Sequence, residues 1–579
     1  MLALICQQNN PLEKFRELAT ALSSTLSSTS EQVDGTANAG SSSQPIRKNR
    51  FSFGWEYIAI CLVILLIAGI RFRLRDYPLE RDEGEYAYAG QLILQGIPPY
   101  QVAYNMKLPG TYVAYASIMA VFGETPTGIH VGVMLVNAGC IFLLFLITKE
   151  LFDSTAAVVA GATFGLFSIR PALLGLAGHA THFVALAALA AILVLLKARG
   201  TVQYRLFFWS GLLSGLAFLM KQPGVFFAIF GALYICWTEW PRTGPQAPFW
   251  RKLCYFSTGV VLPYAATCLI LIRAGVFHRF WFWTVSYARA YGSELSARRG
   301  MLHFANGMLF QRENVFLIWL LIVAGMAAFL WNRQFQPHAP FILGLLGFSF
   351  LAVSAGIIYR PHYFIVIYPV LAILAGVGVS SLAHLLQRPN LPRVSRVLPA
   401  VLFSLAFANA LYAERRVYFT EPADKVAREI YGDVPFPEAR VIGKFIRDNS
   451  RRSDLVAVLG SEPEILFYAN RVSATGYMYT YPFMENQIYA STMKSEYARE
   501  LVSAKPELLV SVMISGSWIS PMDNLDIGLM AWTDGYIKEH YSLIGIADGG
   551  NRDVFRWGAE AASYRPRRPS VILIYRRKP

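Results

Sequence analysis

Apolar runs long enough to cross a bilayer recur along this 579-residue chain, and they restrict its fold more than any other feature. They include 57–70, 131–148, 183–196, 225–237, 315–330 and 364–386. A helical span needs roughly 20 mostly apolar residues, and several of these runs reach that with their flanks. Backbone polar groups in hydrocarbon must pair internally, which makes such runs helices. Charge is scarce to match, at 15% of residues, where a soluble chain carries about 25%. The expectation is a polytopic α-helical membrane protein.

The basic cluster Arg47, Lys48 and Arg50 precedes the first run and marks its cytoplasmic flank. Walking on from there predicts about eleven spans. They fall at 53–70, 127–148, 154–169, 178–197, 205–220, 222–240, 253–273, 313–331, 338–357, 363–386 and 397–412. Residues 51–412 thus form a transmembrane domain, with a first outer loop at 71–126 and another at 274–314. Residues 1–50, rich in Ser, Thr, Gly and Ala, read as a disordered cytoplasmic tail without a cleavable signal. From 413 the composition changes. Stretches 454–460 and 508–513 read as buried strands, and 438–449 and 487–503 as helices. An odd number of spans precedes them, so 413–579 is expected as an extracytoplasmic α/β domain; it has no Gly-rich phosphate loop.

The net charge of +15 fits short basic loops against anionic headgroups. No basic patch is interleaved with an aromatic platform, so nucleic acid is not an expected partner. Six cysteines occur without a CxxC spacing, which indicates neither a zinc site nor a disulfide framework. Arg71, Arg73, Arg75, Arg279, Arg289, Arg298 and Arg299 fall outside, against the orientation rule. An anionic substrate on that face would account for them.

The chemistry concentrates at the outer interface. Arg81-Asp82-Glu83-Gly84-Glu85 opens the first outer loop, and charge beside a bilayer is costly enough to suggest function. Asp82 could cap the following helix with Glu85 as its capping-box partner, or act as a general base toward an acceptor hydroxyl. Lys107 and Tyr112 return the same loop to the membrane. Lys221 stands in a very short outer turn, and Arg360, His362 and Tyr363 end another. A carboxylate facing several cations describes a site for a phosphate-bearing substrate and a nucleophile to be deprotonated. His179 and His182 are spaced for a metal on one helix face, but no third ligand is apparent, so they read as a satisfied pair at a helix end. No acidic metal cage is visible; neither a metal nor any other cofactor is expected. Phe280 to Trp283, Tyr287 and Tyr291 form either an interfacial aromatic belt or a mobile cover over a donor.

This ordered set resembles the GT-C glycosyltransferases of the protein O-mannosyltransferase and lipid A aminoarabinose transferase group. The family's Arg-Asp-Glu is similar to Arg81-Asp82-Glu83, and its Lys-Pro-Pro-x-x-Tyr to Lys107-Leu108-Pro109-Gly110-Thr111-Tyr112. Its Lys-Gly-Pro turn resembles Lys221-Gln222-Pro223-Gly224, and its later Tyr- and Pro-bearing span resembles 363–369 only loosely. The likeness covers residues 55–390. Met106 stands where many relatives carry an acid, and a second outer acid is replaced around His179. The resemblance implies an inner-membrane enzyme that moves a sugar from a polyprenyl-phosphate carrier to a lipid, glycan or protein acceptor. It also implies Asp82 as base, with Glu83 beside it as a catalytic residue. Arg81, Lys107, Tyr112, Lys221, Arg360, His362 and Tyr363 would contact substrate, the cations near the carrier phosphate. A transporter of an anionic or lipid-linked substrate and a non-enzymatic envelope scaffold are the competing readings. The first lacks the internal repeat common in transporters. The second leaves the interfacial acid–base cluster unexplained.

Overall fold

A computed structural model describes residues 54–240, 249–292, 297–311, 314–387, 392–518, 527–548, 554–566 and 570–579. The tail expected at 1–50 lies outside the described residues. Each stretch expected to cross the membrane carries a helix among its described residues. Among the described residues, seven helices are long and apolar enough to do so: Trp55–Arg73, Pro126–Leu151, Ala180–Ala198, Phe249–Arg273, Gln336–Ser354, Tyr368–Leu385 and Val394–Ala413. Shorter apolar helices Gly110–Phe122, Ser154–Phe167, Tyr204–Met220 and Phe316–Trp331 accompany them. Between apolar helices in lipid the attraction is mainly contact, so small residues mark the seams. A Cβ on Gly325 would lie 1.8 Å from the Leu374 carbonyl oxygen, and one on Gly211 2.0 Å from that of Phe256. Those backbones touch because nothing stands between them.

The C-terminal region builds one five-stranded mixed sheet: β1 Val456–Leu459, β2 Leu508–Met513, β3 Tyr541–Asp548, β4 Phe555–Trp557 and β5 Val571–Arg577. The spatial order is β1-β2-β5-β3-β4, with only the β1/β2 pair parallel. The two expected strands are β1 and β2, and the expected helices are Phe436–Asp448 and Ala490–Ala504. The last three strands add a β3–β4 hairpin and a final strand inserted between β2 and β3, which the sequence reading left as periphery.

This region folds back onto the first loop. The helix Arg81–Leu94 is buried along nearly its whole length, although its sequence is only half apolar. It packs against Pro463–Ala469, where a Cβ on Gly84 would meet the Glu464 nitrogen and Cβ at 2.7 Å. The Tyr88 hydroxyl accepts from the Ser473 N–H at 2.8 Å, and that of Tyr468 from the Leu79 N–H at 3.0 Å. Tyr104 joins the return by a backbone bridge to Tyr477.

Two arginines that broke the orientation rule are explained without a substrate. Arg71 is buried and donates to the carbonyls of Ser168, Gly175 and Leu176 at 2.9, 2.7 and 3.2 Å. Arg73 clamps the carbonyls of Val417, Tyr418 and Glu421 at 2.7–2.9 Å. Both tie chain segments together, and neither answers to an anionic ligand.

Replacing Gly84 by Ala should force the two helices apart. Overpacking of this kind costs about 1–3 kcal/mol, which outweighs the roughly 1 kcal/mol by which Ala exceeds Gly in helix propensity. Gly347→Ala adds a methyl with nothing within 4 Å and serves as control. Thermal unfolding in detergent should show a lower transition for Gly84→Ala alone; equal transitions would contradict this packing.

Candidate functional site

The helix that carries the acids begins two residues before the register expected of Asp82. Its cap is Glu80, whose Oε1 accepts the Glu83 N–H at 3.0 Å, while the Glu83 carboxylate reaches back to the Glu80 N–H at 3.5 Å. With Glu80 and Glu83 forming the capping box, Asp82 and Glu85 are free to project elsewhere.

Both close on one ammonium. Lys107 Nζ lies 2.8 Å from Asp82 Oδ1 and 2.6 Å from Glu85 Oε2. Glu85 is fully enclosed and also accepts from the hydroxyls of Tyr112 at 2.5 Å and Tyr479 at 2.6 Å. Asp82 keeps about a fifth of its side chain exposed, at 21%. Burial would raise the Asp82 carboxyl, but Lys107 first, and then His179 and His362, hold it well below the usual range. Burial dominates at Glu85 and raises it in spite of Lys107. Burial and the Asp82 charge push Glu80 up to about 7.

Lys107 is held by its own loop. The Tyr100 hydroxyl donates to its carbonyl at 2.8 Å, and Gln222 Nε2 donates to the Met106 carbonyl at 2.6 Å. Thr111 donates to the Met220 carbonyl at 2.8 Å. A Cβ on Gly110 would sit 2.4 Å from the Leu219 carbonyl oxygen, so only glycine admits this approach. The Lys107 segment and the Lys221 turn are therefore one unit.

Lys221 is half-buried, its ammonium 3.6 Å from the centre of the Tyr363 ring. It has no carboxylate within ion-pair distance among the described residues. Burial depresses it to about 7; Asp82 works the other way, and Lys107 and Arg360 add to the depression. Arg360 is solvent-accessible and lies against Tyr363 and Tyr291. It too has no carboxylate partner among the described residues.

Two histidines flank Asp82. The rings of His179 and His362 stack with centres 3.9 Å apart and planes 8° from parallel. His179 Nδ1 and His362 Nε2 each stand 3.7 Å from Asp82 Oδ2, too far for a hydrogen bond. The pair that converges is thus His179 with His362, not His179 with His182. Nor is it satisfied: both ring nitrogens of His179 and Nδ1 of His362 are buried without a hydrogen-bond partner.

The structure brings Asp82, Lys107, Lys221, Arg360, His362 and Tyr363 together, and turns three other expected site residues away. Glu83 is fully buried, accepting the Gly178 N–H at 2.5 Å and lying 3.1 Å from His130 Nε2. Arg81 points to the C-terminal region, binding the carbonyls of Ser461 at 2.6 Å and Gly516 at 2.8 Å, Glu462 at 3.1 Å, and the Tyr481 hydroxyl. Tyr112 serves Glu85. The aromatic loop is also no free cover over this stretch: Trp283 and Tyr287 are buried in a cluster with Tyr104 and Tyr477. Sequence reasoning passed over Glu80, His130 and Tyr479, and gave Glu85 only the part of a capping-box partner. The tyrosines at 477, 479 and 481 alternate at strand period in a chemistry-free stretch, which was the available signal.

Residues 108–270 match the family model described as dolichyl-phosphate-mannose-protein mannosyltransferase. The undecaprenyl phosphate-alpha-4-amino-4-deoxy-L-arabinose arabinosyl transferase of Pseudomonas paraeruginosa is 27% identical over 59% of this chain. A second such transferase, from Pseudomonas fluorescens, is 25% identical over 58%. The matches span 63% and 58% of those relatives' own length. Among solved structures, ArnT from Cupriavidus metallidurans bound to undecaprenyl phosphate superposes with a TM-score of 0.51 at 14% identity. It covers 90% of this chain and 98% of that one. The chain has the GT-C glycosyltransferase fold. The mycobacterial arabinofuranosyltransferase AftD shares the GT-C fold at a TM-score of 0.50 and 13% identity, over 90% of this chain and 40% of its own. Within the GT-C fold of this chain, the partly exposed acid and the two cations without a carboxylate partner among the described residues are contributed by segments joining apolar helices.

Lys107→Met should strand Glu85 as a buried charge. Removing one partner of such a pair costs about 3–5 kcal/mol, and adding Glu85→Gln should recover much of the loss. Thermal unfolding of the two single variants and the double variant measures this coupling. Additive shifts would show that the ammonium is not what holds Glu85.

Proposed function

We propose that the protein is an inverting glycosyltransferase that moves a sugar from a polyprenyl-phosphate carrier to an acceptor hydroxyl or amine. The observation that carries the reading is one partly exposed carboxylate, fixed by Lys107, beside two cations without carboxylate partners among the described residues. Transferase relatives with undecaprenyl phosphate in their names support it; a transporter gains no such support.

Asp82 takes the proton of the acceptor group as that group's lone pair attacks the anomeric carbon. The new bond forms as the bond to the phosphate oxygen breaks, and the electron pair leaves with the polyprenyl phosphate. One carboxylate suffices for a direct displacement, so the anomeric configuration inverts. Lys221 and Arg360 stabilise the departing phosphate, and Tyr363 and Tyr291 hold those cations in place. Asp82 is a weak base when held so low, and it gains proton affinity as the attacked centre moves charge onto the phosphate. Lys107 positions Asp82 instead of binding the carrier. Glu83 and Arg81 anchor the helix and dock the C-terminal region.

The same reading makes 51–412 the catalytic membrane domain, with about eleven spans and the N-terminal side cytoplasmic. The reacting groups and residues 413–579 then lie on the outer face of the inner membrane. The sheet region supplies Tyr479 to Glu85 and so braces the acid from above.

With radiolabelled polyprenyl-phosphate sugar and purified protein, Asp82→Asn should lower transfer by about 10²–10⁴-fold, the usual contribution of a general base. Retained gel-filtration and unfolding profiles would show that fold is intact. Near-normal turnover by this variant would contradict the assignment.

The Lys221 charge gives a second test. A lysine whose folded pKa lies below its unfolded one destabilises the fold at pH values below about 7 and ceases to do so above its unfolded pKa. Lys221→Met should therefore unfold at higher temperature than the native protein at pH 6, and the advantage should fade toward pH 10. Polyprenyl-phosphate binding should weaken as pH rises through 7, and in Lys221→Met it should be weak throughout. Asp82, Lys107, Arg360 and His362 all face this ammonium, so the same titration in Asp82→Asn separates their share. Carrier binding independent of both pH and Lys221 would refute the assignment.

A further inference from the structure

Asp82 Oδ2, a His179 ring nitrogen and a His362 ring nitrogen lie within 4.8 Å of one another. His179 and His362 are 183 residues apart in the chain, so the sequence gives no spacing motif for this set. Both rings are almost fully buried, at 1% and 4% exposure. Three of their four nitrogens have no hydrogen-bond partner among the described residues. An orphaned buried polar atom costs about 1–3 kcal/mol. Such atoms in a native fold call for an explanation, and a bound ion is one of the recognised ones.

We propose that Asp82, His179 and His362 bind one divalent transition-metal ion of the zinc class. Two imidazoles and a carboxylate suit zinc or cobalt better than calcium or magnesium, which demand oxygen ligands. Around a tetrahedral ion, ligand atoms about 2.0–2.1 Å from the metal stand roughly 3.3 Å apart. The two observed nitrogen–Oδ2 separations of 3.7 Å exceed this by only a few tenths of an ångström. Imidazole lone pairs lie in the ring plane, so rings stacked face to face cannot both point at one ion. Binding turns the two rings out of their stack and draws together three ligand atoms that already lie within 4.8 Å of one another. Glu80 Oε1, 3.6 Å from His179 Nδ1, bears on the same imidazole and opposes the nearby cations Lys107, Lys221 and Arg360.

Three protein ligands leave the fourth position open, as in catalytic rather than structural zinc sites. The binding itself is independent of the transfer reading; only its use rests on it. An acceptor hydroxyl taken up at the open position becomes more acidic. It would give its proton to Asp82 Oδ1, which retains a lone pair beside Lys107.

The test uses the full-length protein in detergent, stripped with chelator and titrated with Co²⁺ alone. One Co²⁺ per chain should bind, with the intense visible absorption of a tetrahedral site, and Zn²⁺ should displace it. His179→Ala and His362→Ala should each weaken binding at least tenfold, and Asp82→Asn likewise while keeping the side-chain shape. His303→Ala, at an exposed histidine, should bind normally. Should the buried-histidine variants misfold, Asp82→Asn and the native protein decide the matter. A visible band that is absent from the native protein, or unchanged in Asp82→Asn, overturns the proposal. Transfer that survives stripping while Asp82→Asn is inactive would remove the catalytic use of the ion and leave the base assignment intact. A cobalt band in a protein without transfer activity would do the reverse.

Discussion

A single ammonium held between two carboxylates organises the centre of this protein. Lys107 draws Asp82 and Glu85, one turn apart on one helix, toward the same point. In a low-dielectric setting two such acids would repel and take up protons. The lysine keeps Asp82 ionised and oriented, and Glu85, fully enclosed, fixes the lysine in turn. The hydroxyls of Tyr112 and Tyr479 complete the arrangement, so of the two carboxylates it is Asp82 that has access to a substrate.

The rest of the fold serves that arrangement. The helix Arg81–Leu94 is started by the Glu80–Glu83 box, pinned by Arg81 to the sheet region, and packed so closely at Gly84 that it cannot rotate. The Lys107 loop is joined to the Lys221 turn by Gln222 and Thr111, which fixes the offset between the paired cation and the unpaired one. Burial supplies the energetic contrast: the same dehydration that strengthens the Lys107 contacts makes the half-buried Lys221 receptive to an anion, with Arg360 beside it at the open edge. Preorganised charge of this kind needs little rearrangement when a phosphate departs.

Much of this was legible in the amino-acid sequence, because charge is rare in a membrane chain and therefore conspicuous. Asp82, Lys107, Lys221, Arg360 and His362 stood out as polar groups at the ends of apolar runs, and the alternation of inside and outside placed them on one face. What was not legible depends on long-range approach. Tyr479 meets Glu85 across 394 residues, and no local pattern records that return. The helix register was misjudged because Asp is a far commoner cap than Glu, so Asp82 drew attention that belonged to Glu80. His179 was paired with its helical neighbour His182, since spacing reveals only partners on the same helix. β3 to β5 were overlooked behind turn signals, although 571–575 is an uninterrupted apolar run.

The claim on which all of this turns is that the open edge beside Asp82 receives a lipid-linked phosphate. A cryo-electron microscopy structure with bound polyprenyl monophosphate tests it most directly. The account predicts phosphate density between the Lys221 ammonium and the Arg360 guanidinium, with the Asp82 carboxylate facing its sugar-bearing oxygen. Carrier phosphate bound elsewhere on the protein, with those two cations still touching only tyrosine rings, would contradict it.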